Sequence, residues 1–397
     1  MTPRYAQRMA GVRPSAIGEL LALGADPSII SFGGGYPDAS LFPTAQLDAI
    51  FHDILRRPGG AALQYAPSDG LPRLRDQIAH LMTEDGTPCT GDDVLILQGS
   101  QQGLDLAARM LVDPGDVIVT EDPTFLGALI AFAPCQPRYA VVPVDSDGMQ
   151  TGDLEAVLQA NPRARMIYTV PDFQNPTGVT LSLARRRQLI ALANRHDLIV
   201  LEDTPYRQIR FSGAALPTLR SLDTEGRVIH LGSFSKVLVP ALRIGWAVAA
   251  RALLARLGLL KVAADTQTST LNMAAASLFL ERHDLGAHVA TLRSAYAGKR
   301  DAMLDAIRRH FPQDVTVTEP DGGLFTWASF PDGFDATVFM RDVALPQARV
   351  AYVPGASFFP VTPRPNHARF NFSAQSEEII ETGIAALGKA LQTQRFP

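Results

Sequence analysis

Residues 93–111 read Asp-Val-Leu-Ile-Leu-Gln-Gly-Ser-Gln-Gln-Gly-Leu-Asp-Leu-Ala-Ala-Arg-Met-Leu, and this segment determines the expected architecture. Residues 93–97 include an apolar run that predicts a buried strand, and residues 101–111 place apolar side chains at helical spacing. A strand that leads into a helix through a short polar turn is typical of a parallel α/β sheet. The segment therefore predicts an α/β fold.

The same alternation of strand and helix continues as far as Val248. Apolar runs predict further strands at 116–120, 138–142, 165–170, 197–201, 227–231 and 244–248. Helical patterns lie between several of these runs, at 126–132, 151–160 and 182–194. Near-continuous apolar strands spaced by helices indicate a mostly parallel, seven-stranded sheet that helices flank on both faces.

The pattern changes after about residue 285. A long helix is predicted near 290–310, and shorter strands follow at 314–318 and 369–372. This change indicates a smaller α+β domain that packs with the N-terminal arm. We therefore expect an arm that forms part of the small domain (1–45), a large domain (46–285) and a small C-terminal domain (286–397).

Composition argues against several classes of protein. The 397 residues carry 36 basic and 40 acidic side chains, a net charge of −4, with no long single-sign block, so no nucleic-acid surface is expected. Cys89 and Cys135 are too few for a disulfide framework, and the eight histidines lack metal-site spacing, so no metal is expected. Residues 246–264 are apolar but interrupted by charges, and no secretory signal is evident. A cytoplasmic protein without a membrane span is expected.

The densest basic run is Arg185, Arg186 and Arg187, inside the predicted helix at 182–194. Apolar residues alternate with this run at a spacing that predicts an amphipathic helix. A charge run of this kind is usually a solvated face, so we expect its arginines to lie in water.

Polar residues that follow strands are the candidates for a site, because ligands in open α/β sheets bind beyond the carboxyl ends of the strands. Ser100 and Gln101 begin a helix directly after the first strand, where free N–H groups favour an anion. An ordinary helix cap explains Ser100 equally well. Asn175, in Asn-Pro-Thr-Gly, follows another strand, and taken alone this is a turn signature.

Acidic and phenolic groups follow the strand at 197–201. Asp203 comes two residues after this strand, and Tyr206 lies three residues further on. Asp203 is either a surface turn residue or a partner that keeps a basic ring nitrogen protonated. In the second case, Tyr206 supplies a phenolic hydrogen bond to the same ligand.

A lysine with two neighbouring hydroxyls follows the strand at 227–231. The segment contains Ser233, Ser235 and Lys236, with Arg243 downstream. The lysine either extends to solvent or, beside another cation in a pocket, loses its proton and becomes a Schiff-base nucleophile. The hydroxyls and the arginine suit a phosphate dianion. Together with the preceding groups, they have the pieces needed to hold a phosphorylated pyridine aldehyde.

These motifs occur together in a recognisable order. They are Leu63-Gln-Tyr-Ala-Pro67, Gly99-Ser-Gln-Gln102, Phe173-Gln-Asn-Pro-Thr-Gly178, Glu202-Asp203 and Gly232-Ser-Phe-Ser-Lys236, between Ile30–Asp38 and Arg369–Ser373. With them the sequence resembles the pyridoxal-phosphate-dependent aminotransferases of class I/II, fold type I. Within that family it is most similar to the 2-aminoadipate and kynurenine aminotransferase group.

The resemblance implies pyridoxal 5′-phosphate as the cofactor of the large domain. Lys236 matches the lysine that forms a Schiff base with it and shuttles the substrate proton. Asp203 matches the partner of the pyridine nitrogen, Asn175 and Tyr206 match donors to the ring oxygen, and Phe125 matches the aromatic that stacks on the ring. Lys236, Asp203 and Tyr206 are the expected catalytic residues. The residues that match phosphate ligands of the same subunit are Ser100, Gln101, Ser233, Ser235 and Arg243. Tyr65 matches a residue that reaches the phosphate of the neighbouring subunit, so the resemblance implies a homodimer.

The resemblance also implies the reaction. Arg369 matches the arginine that binds the substrate α-carboxylate, and Gly35, Tyr36 and Asn175 are the other expected substrate contacts. Gly18 stands where the group commonly has an arginine that receives an acidic side chain. The expected reaction moves the amino group of an L-amino acid, either neutral (aromatic or aliphatic) or 2-aminoadipate-like, to a 2-oxo acid such as 2-oxoglutarate by a ping-pong mechanism.

Three other interpretations compete with this one. Ser233-Phe-Ser-Lys236 satisfies the S-x-x-K pattern of a serine acyl enzyme, but the S-D-N and K-T-G elements are missing from the sequence. A ligand-binding regulator is not expected, because about thirty residues before Ser31 are too few for a DNA-binding domain. Another pyridoxal-phosphate reaction, that of a lyase, decarboxylase or racemase, stays open, because cofactor motifs do not decide which Cα bond breaks.

Overall fold

The computed structural model describes residues 4–11, 26–56 and 58–393. The strands in chain order are β1 (Ile30–Ser31), β2 (Val94–Gln98), β3 (Val117–Asp122), β4 (Arg138–Asp145), β5 (Gly148–Met149), β6 (Ala164–Thr169), β7 (Ile199–Asp203), β8 (Val228–Ser233), β9 (Ile244–Val248), β10 (Thr316–Val317), β11 (Phe325–Ser329), β12 (Val350–Ala351), β13 (Val353–Pro354) and β14 (His367–Asn371).

The helices surround these strands. They are α1 (Thr44–Arg56), α2 (Pro72–Glu84), α3 (Ser100–Leu111), α4 (Leu126–Phe132), α5 (Thr151–Ala160), α6 (Leu183–Arg195), α7 (Leu219–Leu222), α8 (Arg251–Asp265), α9 (Thr270–Arg282), α10 (Leu285–His310), α11 (Ala336–Phe339) and α12 (Glu377–Gln392). A π-helical segment, Met340–Ala348, follows α11. Among residues 4–11, 26–56 and 58–393, no helix has both the length and the apolar character that crossing a bilayer requires.

The larger sheet has eight strands in the order β2-β9-β8-β7-β6-β3-β4-β5. Its centre is parallel, from β8 through β7, β6 and β3 to β4, whereas β9 runs antiparallel to both β2 and β8. The expected α/β fold with a mostly parallel sheet is confirmed. The strand that the sequence did not indicate is β5, which pairs antiparallel with β4 over two residues and is too short to give an apolar run.

Helices cover both faces of this sheet, as its apolar strands require. All six residues of β3 are buried. Because side chains alternate along a strand, Ile118 belongs to one hydrophobic cluster and Val119 to the other. Leu104 of α3 packs in the first cluster, and Leu189 of α6 packs in the second.

The smaller sheet is antiparallel, in the order β10-β11-β14-β13, and α10 packs against α12 beside it. The long helix begins at Leu285, five residues earlier than about 290, because the Asp284 side chain accepts a hydrogen bond from the Ala287 N–H and caps it. An early segment of the chain joins this part, since β1 pairs in parallel with β12.

The prediction of a solvated basic run in α6 is wrong for Arg186, and Arg185, which is 22% exposed and pairs with Asp145, is only partly in water. Arg187 is exposed, but Arg186 is completely buried and pairs with the buried Asp172 at 2.8 Å. Arg186 also donates to the main-chain oxygens of Leu181, Pro171 and Pro217. Leu181 and Pro171 are buried, so their main-chain oxygens lie where water is excluded and need a donor. Arg186 thereby supports the segment 171–178, which carries Asn175.

Replacement of Arg186 by methionine is expected to lower the free energy of unfolding by about 1.5–3 kcal/mol, because Asp172, which keeps Arg207 and Arg210, and the carbonyls lose a charged donor. Urea unfolding followed by circular dichroism measures the change. The adjacent Arg187→Met substitution, on the exposed side of α6, is the matched control and should change stability by no more than about 0.5 kcal/mol. Equal unfolding midpoints for the two variants would contradict a stabilising role for Arg186.

Candidate active site

A cavity of about 260 Å³ lies beyond the carboxyl ends of the central parallel strands, the position expected for a ligand site in an open α/β sheet. The predicted site residues that line it are Gly35, Tyr36, Ser100, Gln101, Phe125, Asn175, Asp203, Tyr206, Ser233, Ser235, Lys236, Arg243 and Arg369. Residues separated by more than three hundred positions in the chain are thus brought together, and their individual roles stay predictions.

Tyr65 is the predicted site residue that does not line this cavity. Its side chain is 80% exposed, and it lines a separate surface depression with Leu63, Gln64 and Gln267. Exposure on the surface is what a residue that reaches a neighbouring subunit requires. Gly18, the other predicted determinant, lies outside the described residues.

Lys236 follows β8 at the floor of the cavity. Its Nζ donates a hydrogen bond to the main-chain oxygen of Gly35 at 2.7 Å. Removal from bulk water, together with the nearby Arg369 and Arg243 cations, lowers the pKa of Lys236 to about 8. A substantial share of the amine is therefore neutral near physiological pH, as a nucleophile or a general base must be.

One end of the cavity is built to receive an anion. It contains the N-terminus of α3, the hydroxyls of Ser233 and Ser235, which are 2.9 Å apart, and the guanidinium of Arg243, whose Nη1 lies 3.4 Å from Ser235 Oγ. Gly99 has φ of 72°, and a Cβ there would come within 2.4 Å of Arg243. Glycine therefore both forms the turn and leaves room for the guanidinium. This donor set suits a phosphate dianion.

The side chain of Gln101, a predicted phosphate ligand, makes a hydrogen bond within the protein at this end of the cavity. Its Nε2 donates to the main-chain oxygen of Gly127 at 2.7 Å. The first N–H groups of a helix have no partner within the helix. One amide hydrogen of Gln101 is thus engaged within the protein, and the main-chain N–H groups in the first turn of α3 are further donors at this end of the cavity.

Asp203 lies at the end of β7 and is 2% exposed. Its Oδ2 accepts a hydrogen bond from the Tyr168 hydroxyl at 3.2 Å, and its Oδ1 is buried without a partner among the described residues. Burial raises the pKa of Asp203 to about 7, against the lowering effect of Tyr168 and His230. A buried, unpaired acceptor beside the cavity fits a ligand that brings its own N–H donor.

A hydrogen-bonded chain links three of the predicted residues. Asn175 Nδ2 donates to the Tyr206 hydroxyl oxygen at 3.2 Å, and Arg369 Nη1 donates to Asn175 Oδ1 at 2.9 Å. Burial raises the pKa of Tyr206 to about 12, so its phenol keeps its proton. Tyr206 therefore has a hydroxyl hydrogen to donate into the cavity while its oxygen accepts from Asn175.

Arg369 is held rigidly on β14. Its guanidinium lies 4.2 Å from the centre of the Phe325 ring and 5.3 Å from that of Phe358, and Nη2 donates to the main-chain oxygen of Gly33 at 2.6 Å. Its Nε is buried without a partner among the residues described. Burial lowers the pKa of Arg369 to about 10, which leaves it fully charged at neutral pH. An oriented cation of this kind suits a carboxylate.

The apolar part of the wall was not found from the sequence. The lining residues that the sequence analysis missed are Gly33, Gly34, Leu126, Pro205, Pro240, Phe325, Val353 and Phe358. The turn signal Gly322-Gly323 marks the strand that carries Phe325, but ordinary apolar residue types carry no sign that they face a cavity rather than the core.

The residues present fit a phosphorylated pyridine aldehyde. The unpaired Oδ1 of Asp203 accepts from a ring N–H, the cradle around Arg243 takes the phosphate, and Lys236 supplies the amine for an aldehyde. Phe125, which lines the cavity between these groups, offers an aromatic surface for the ring.

Comparison with known sequences places the chain in one family. Residues 34–387 match the family model described as aminotransferase class I and II. Aromatic-amino-acid aminotransferase 1 of Thermococcus litoralis is 38% identical over 395 residues, which cover 98% of this chain and 94% of the relative.

Two solved structures are similar over almost their whole length. LysN, an α-aminoadipate aminotransferase of Thermus thermophilus solved with N-(5′-phosphopyridoxyl)-L-leucine, has a TM-score of 0.91 and 36% identity, covering 98% of this chain and 97% of that one. A kynurenine aminotransferase of Pyrococcus horikoshii has a TM-score of 0.92 and 36% identity, covering 98% and 96%.

Proposed function

We propose that this chain, which belongs to the class I and II aminotransferases, takes its amino group from a neutral L-amino acid with an aromatic or aliphatic side chain. It is a transaminase, and its cofactor is pyridoxal phosphate. The proposed acceptor is a 2-oxo acid such as 2-oxoglutarate, in a ping-pong reaction.

The observation that carries the choice of a neutral donor is the distribution of charge in the cavity. Among the described residues that line it, the cations are Lys236, Arg243 and Arg369. Each cation already has a proposed task. Lys236 supplies the reactive amine, Arg243 binds the phosphate and Arg369 binds the substrate α-carboxylate. The rest of the described wall includes Leu126 and Val353, so among the described residues an acidic side chain would lose its water without gaining a cationic partner.

The relatives are named for both kinds of donor, since LysN is an α-aminoadipate aminotransferase, and two facts about them favour a neutral side chain. LysN was solved with a cofactor adduct of leucine, and the Thermococcus litoralis relative is named for aromatic amino acids. Both kinds of side chain are neutral and apolar. A wall built from Leu126, Val353, Phe325 and Phe358 stabilises such side chains by removing their apolar surface from water.

Each residue of the site has a proposed task in this reaction. When bound, pyridoxal phosphate supplies an electron sink for the charge left at the substrate Cα and carries the amino group between half-reactions. Asp203 holds the proton on the ring nitrogen, and Asn175 and Tyr206 donate toward the ring oxygen. Arg369 orients the substrate through its carboxylate. Lys236 Nζ then removes the Cα proton as a general base.

The organisation of the chain is part of the proposal. We take residues 1–45 and 286–397 as the arm and the small domain, and 46–285 as the large cofactor domain. A homodimer that shares its active sites is supported by the exposure of Tyr65 (80%) and Leu63 (68%) outside the chain's own cavity. The free thiols of Cys89 and Cys135 support a cytoplasmic location, because such compartments keep thiols reduced.

A half-reaction screen tests the donor. The cofactor-loaded protein is mixed with single amino acids without any 2-oxo acid, and the loss of the cofactor's visible absorbance is followed by stopped flow. Phenylalanine, tyrosine or leucine is expected to react about 10²-fold more efficiently than glutamate or 2-aminoadipate, because a second carboxylate would be buried without a partner. Product analysis should find the matching 2-oxo acid and pyridoxamine phosphate.

Other products would contradict this proposal in distinct ways. If glutamate or 2-aminoadipate reacts fastest, the neutral-donor assignment is wrong although transamination stands. Release of carbon dioxide would indicate a decarboxylase, and elimination products would indicate a lyase. Appearance of the opposite enantiomer without a 2-oxo acid would indicate a racemase.

A further inference from the structure

We propose that Tyr168 is a positioning residue for Asp203: its hydroxyl holds Oδ2 of the carboxylate and leaves Oδ1 as the acceptor for the cofactor's ring nitrogen. The inference rests on the proposed function in one respect, the assignment of Asp203 to that nitrogen. It adds a residue that no motif identified and that does not itself line the cavity.

The sheet register places the two side chains together. Tyr168 on β6 pairs with Leu201 on β7, two residues before Asp203, so the side chains of Tyr168 and Asp203 project from the same face of neighbouring strands. A long side chain reaches such a diagonal neighbour. The Tyr168 hydroxyl lies 3.2 Å from Asp203 Oδ2, whereas Oδ1 has no partner among the described residues.

Packing fixes the direction of the phenol. Tyr168 is completely buried, and its ring meets Phe132 edge to face, with centroids 5.5 Å apart and planes at 81°. Because the ring is enclosed, its hydroxyl has a defined position at the strand end. The carboxylate of Asp203 is therefore held at one oxygen by a rigid donor, which orients the other oxygen.

The charged and titratable groups around Asp203 keep Tyr168 a donor. Glu121 approaches from β3, His230 from β8 and Tyr206 from the loop after β7. Burial and the Asp203 and Glu121 carboxylates raise the pKa of Tyr168 well above its usual value, so the phenol keeps its proton. The hydrogen bond from Tyr168 lowers the pKa of Asp203, and His230 acts in the same direction.

The hydrogen bond from Tyr168 determines how basic the Asp203 carboxylate is, and its loss should slow the reaction. Without it, the Asp203 carboxylate is a stronger base and draws the shared proton away from the ring nitrogen. A ring with less positive charge is a weaker electron sink, which slows removal of the substrate Cα proton. Such a ring, when bound, would also withdraw less charge from the nitrogen of Lys236 joined to it, and that nitrogen would keep its proton to a higher pH.

Tyr168→Phe removes the hydroxyl and keeps the ring. Tyr352→Phe is the matched control, because Tyr352 is equally buried and its hydroxyl donates to the main-chain oxygen of Ala336 at 2.7 Å, outside the cavity. Both variants are loaded with pyridoxal phosphate, and visible absorbance is recorded against pH. For Tyr168→Phe, the pH at the midpoint of the absorbance change should rise by about one unit. The value of kcat should fall about tenfold with KM unchanged. A change of this size is expected for the loss of one hydrogen bond to a charged group.

The Asp203→Asn variant tests the assignment of Asp203 to the ring nitrogen separately from the positioning role of Tyr168. If Asp203→Asn shifts the midpoint and Tyr168→Phe behaves like Tyr352→Phe, the positioning role of Tyr168 is overturned while the assignment of Asp203 stands. If neither Asp203→Asn nor Tyr168→Phe shifts it, the assignment of Asp203 fails and the role of Tyr168 fails with it. Equal shifts in Tyr168→Phe and Tyr352→Phe would reflect a general loss of buried hydroxyls and would also overturn the proposal.

Discussion

Lys236→Ala is expected to lower kcat at least about 10⁴-fold, the largest effect of any single substitution in this chain. The variant loses both the amine that attaches the cofactor and the base that removes the substrate Cα proton, and general base catalysis alone contributes up to about 10⁴-fold. No other lysine lines the described part of the cavity. Steady-state turnover and single-turnover absorbance measurements check the loss.

The control for this substitution is Lys389→Ala, which removes an exposed lysine from α12. It should leave kcat and KM unchanged. Both variants are expected to unfold cooperatively, since neither replaces an apolar core residue. Turnover of Lys236→Ala within about tenfold of the unsubstituted enzyme would exclude the proposed base, whose reactivity depends on the lowered pKa of its amine.

Asp203→Asn is expected to lower kcat about 10³-fold while changing the substrate KM less than about tenfold. An asparagine has no negative charge with which to hold the proton on the ring nitrogen, so the loss falls on the transition state rather than on substrate binding. Steady-state measurement of kcat and KM with the best donor from the half-reaction screen shows whether the loss falls on kcat rather than on KM.

Asp122→Asn is the matched control for Asp203→Asn. Asp122 is also a buried carboxylate at the end of a strand, β3, but it does not line the cavity. Its substitution should change kcat only a few fold. If the two variants lose activity equally, the effect of Asp203→Asn reflects the loss of any buried charge near the strand ends, and the electron-sink assignment is wrong.

The polar part of the site was predictable from the sequence, because its residues follow strands that their own apolar runs reveal. Ser100, Asp203 and Lys236 each come within a few residues of such a run, and parallel topology brings the strand ends to one edge. The combination of these turns indicated the cofactor, since each turn alone has an ordinary structural explanation, and the reaction class followed from the family resemblance.

Features created by packing could not be predicted in this way. Arg186 reads as a surface residue beside Arg187, and its burial depends on acceptors in segments before and after α6. Tyr168 reads as one apolar residue in a strand, and its contact with Asp203 depends on the register of β6 with β7. Both residues meet partners that are distant in sequence, so only the folded chain identifies their roles.

The residues that line the cavity come from two different parts of the chain, and this separation affects how the donor specificity can change within the family. Apart from Tyr65, the groups assigned to the cofactor lie between Ser100 and Arg243, on the large sheet, whereas Tyr36, Phe325, Val353 and Phe358 come from outside that segment. Mutation can therefore reshape the surface that meets the donor side chain without altering the catalytic apparatus. Substitution at a few of these apolar positions is therefore expected to change the donor preference while the catalytic residues stay in place.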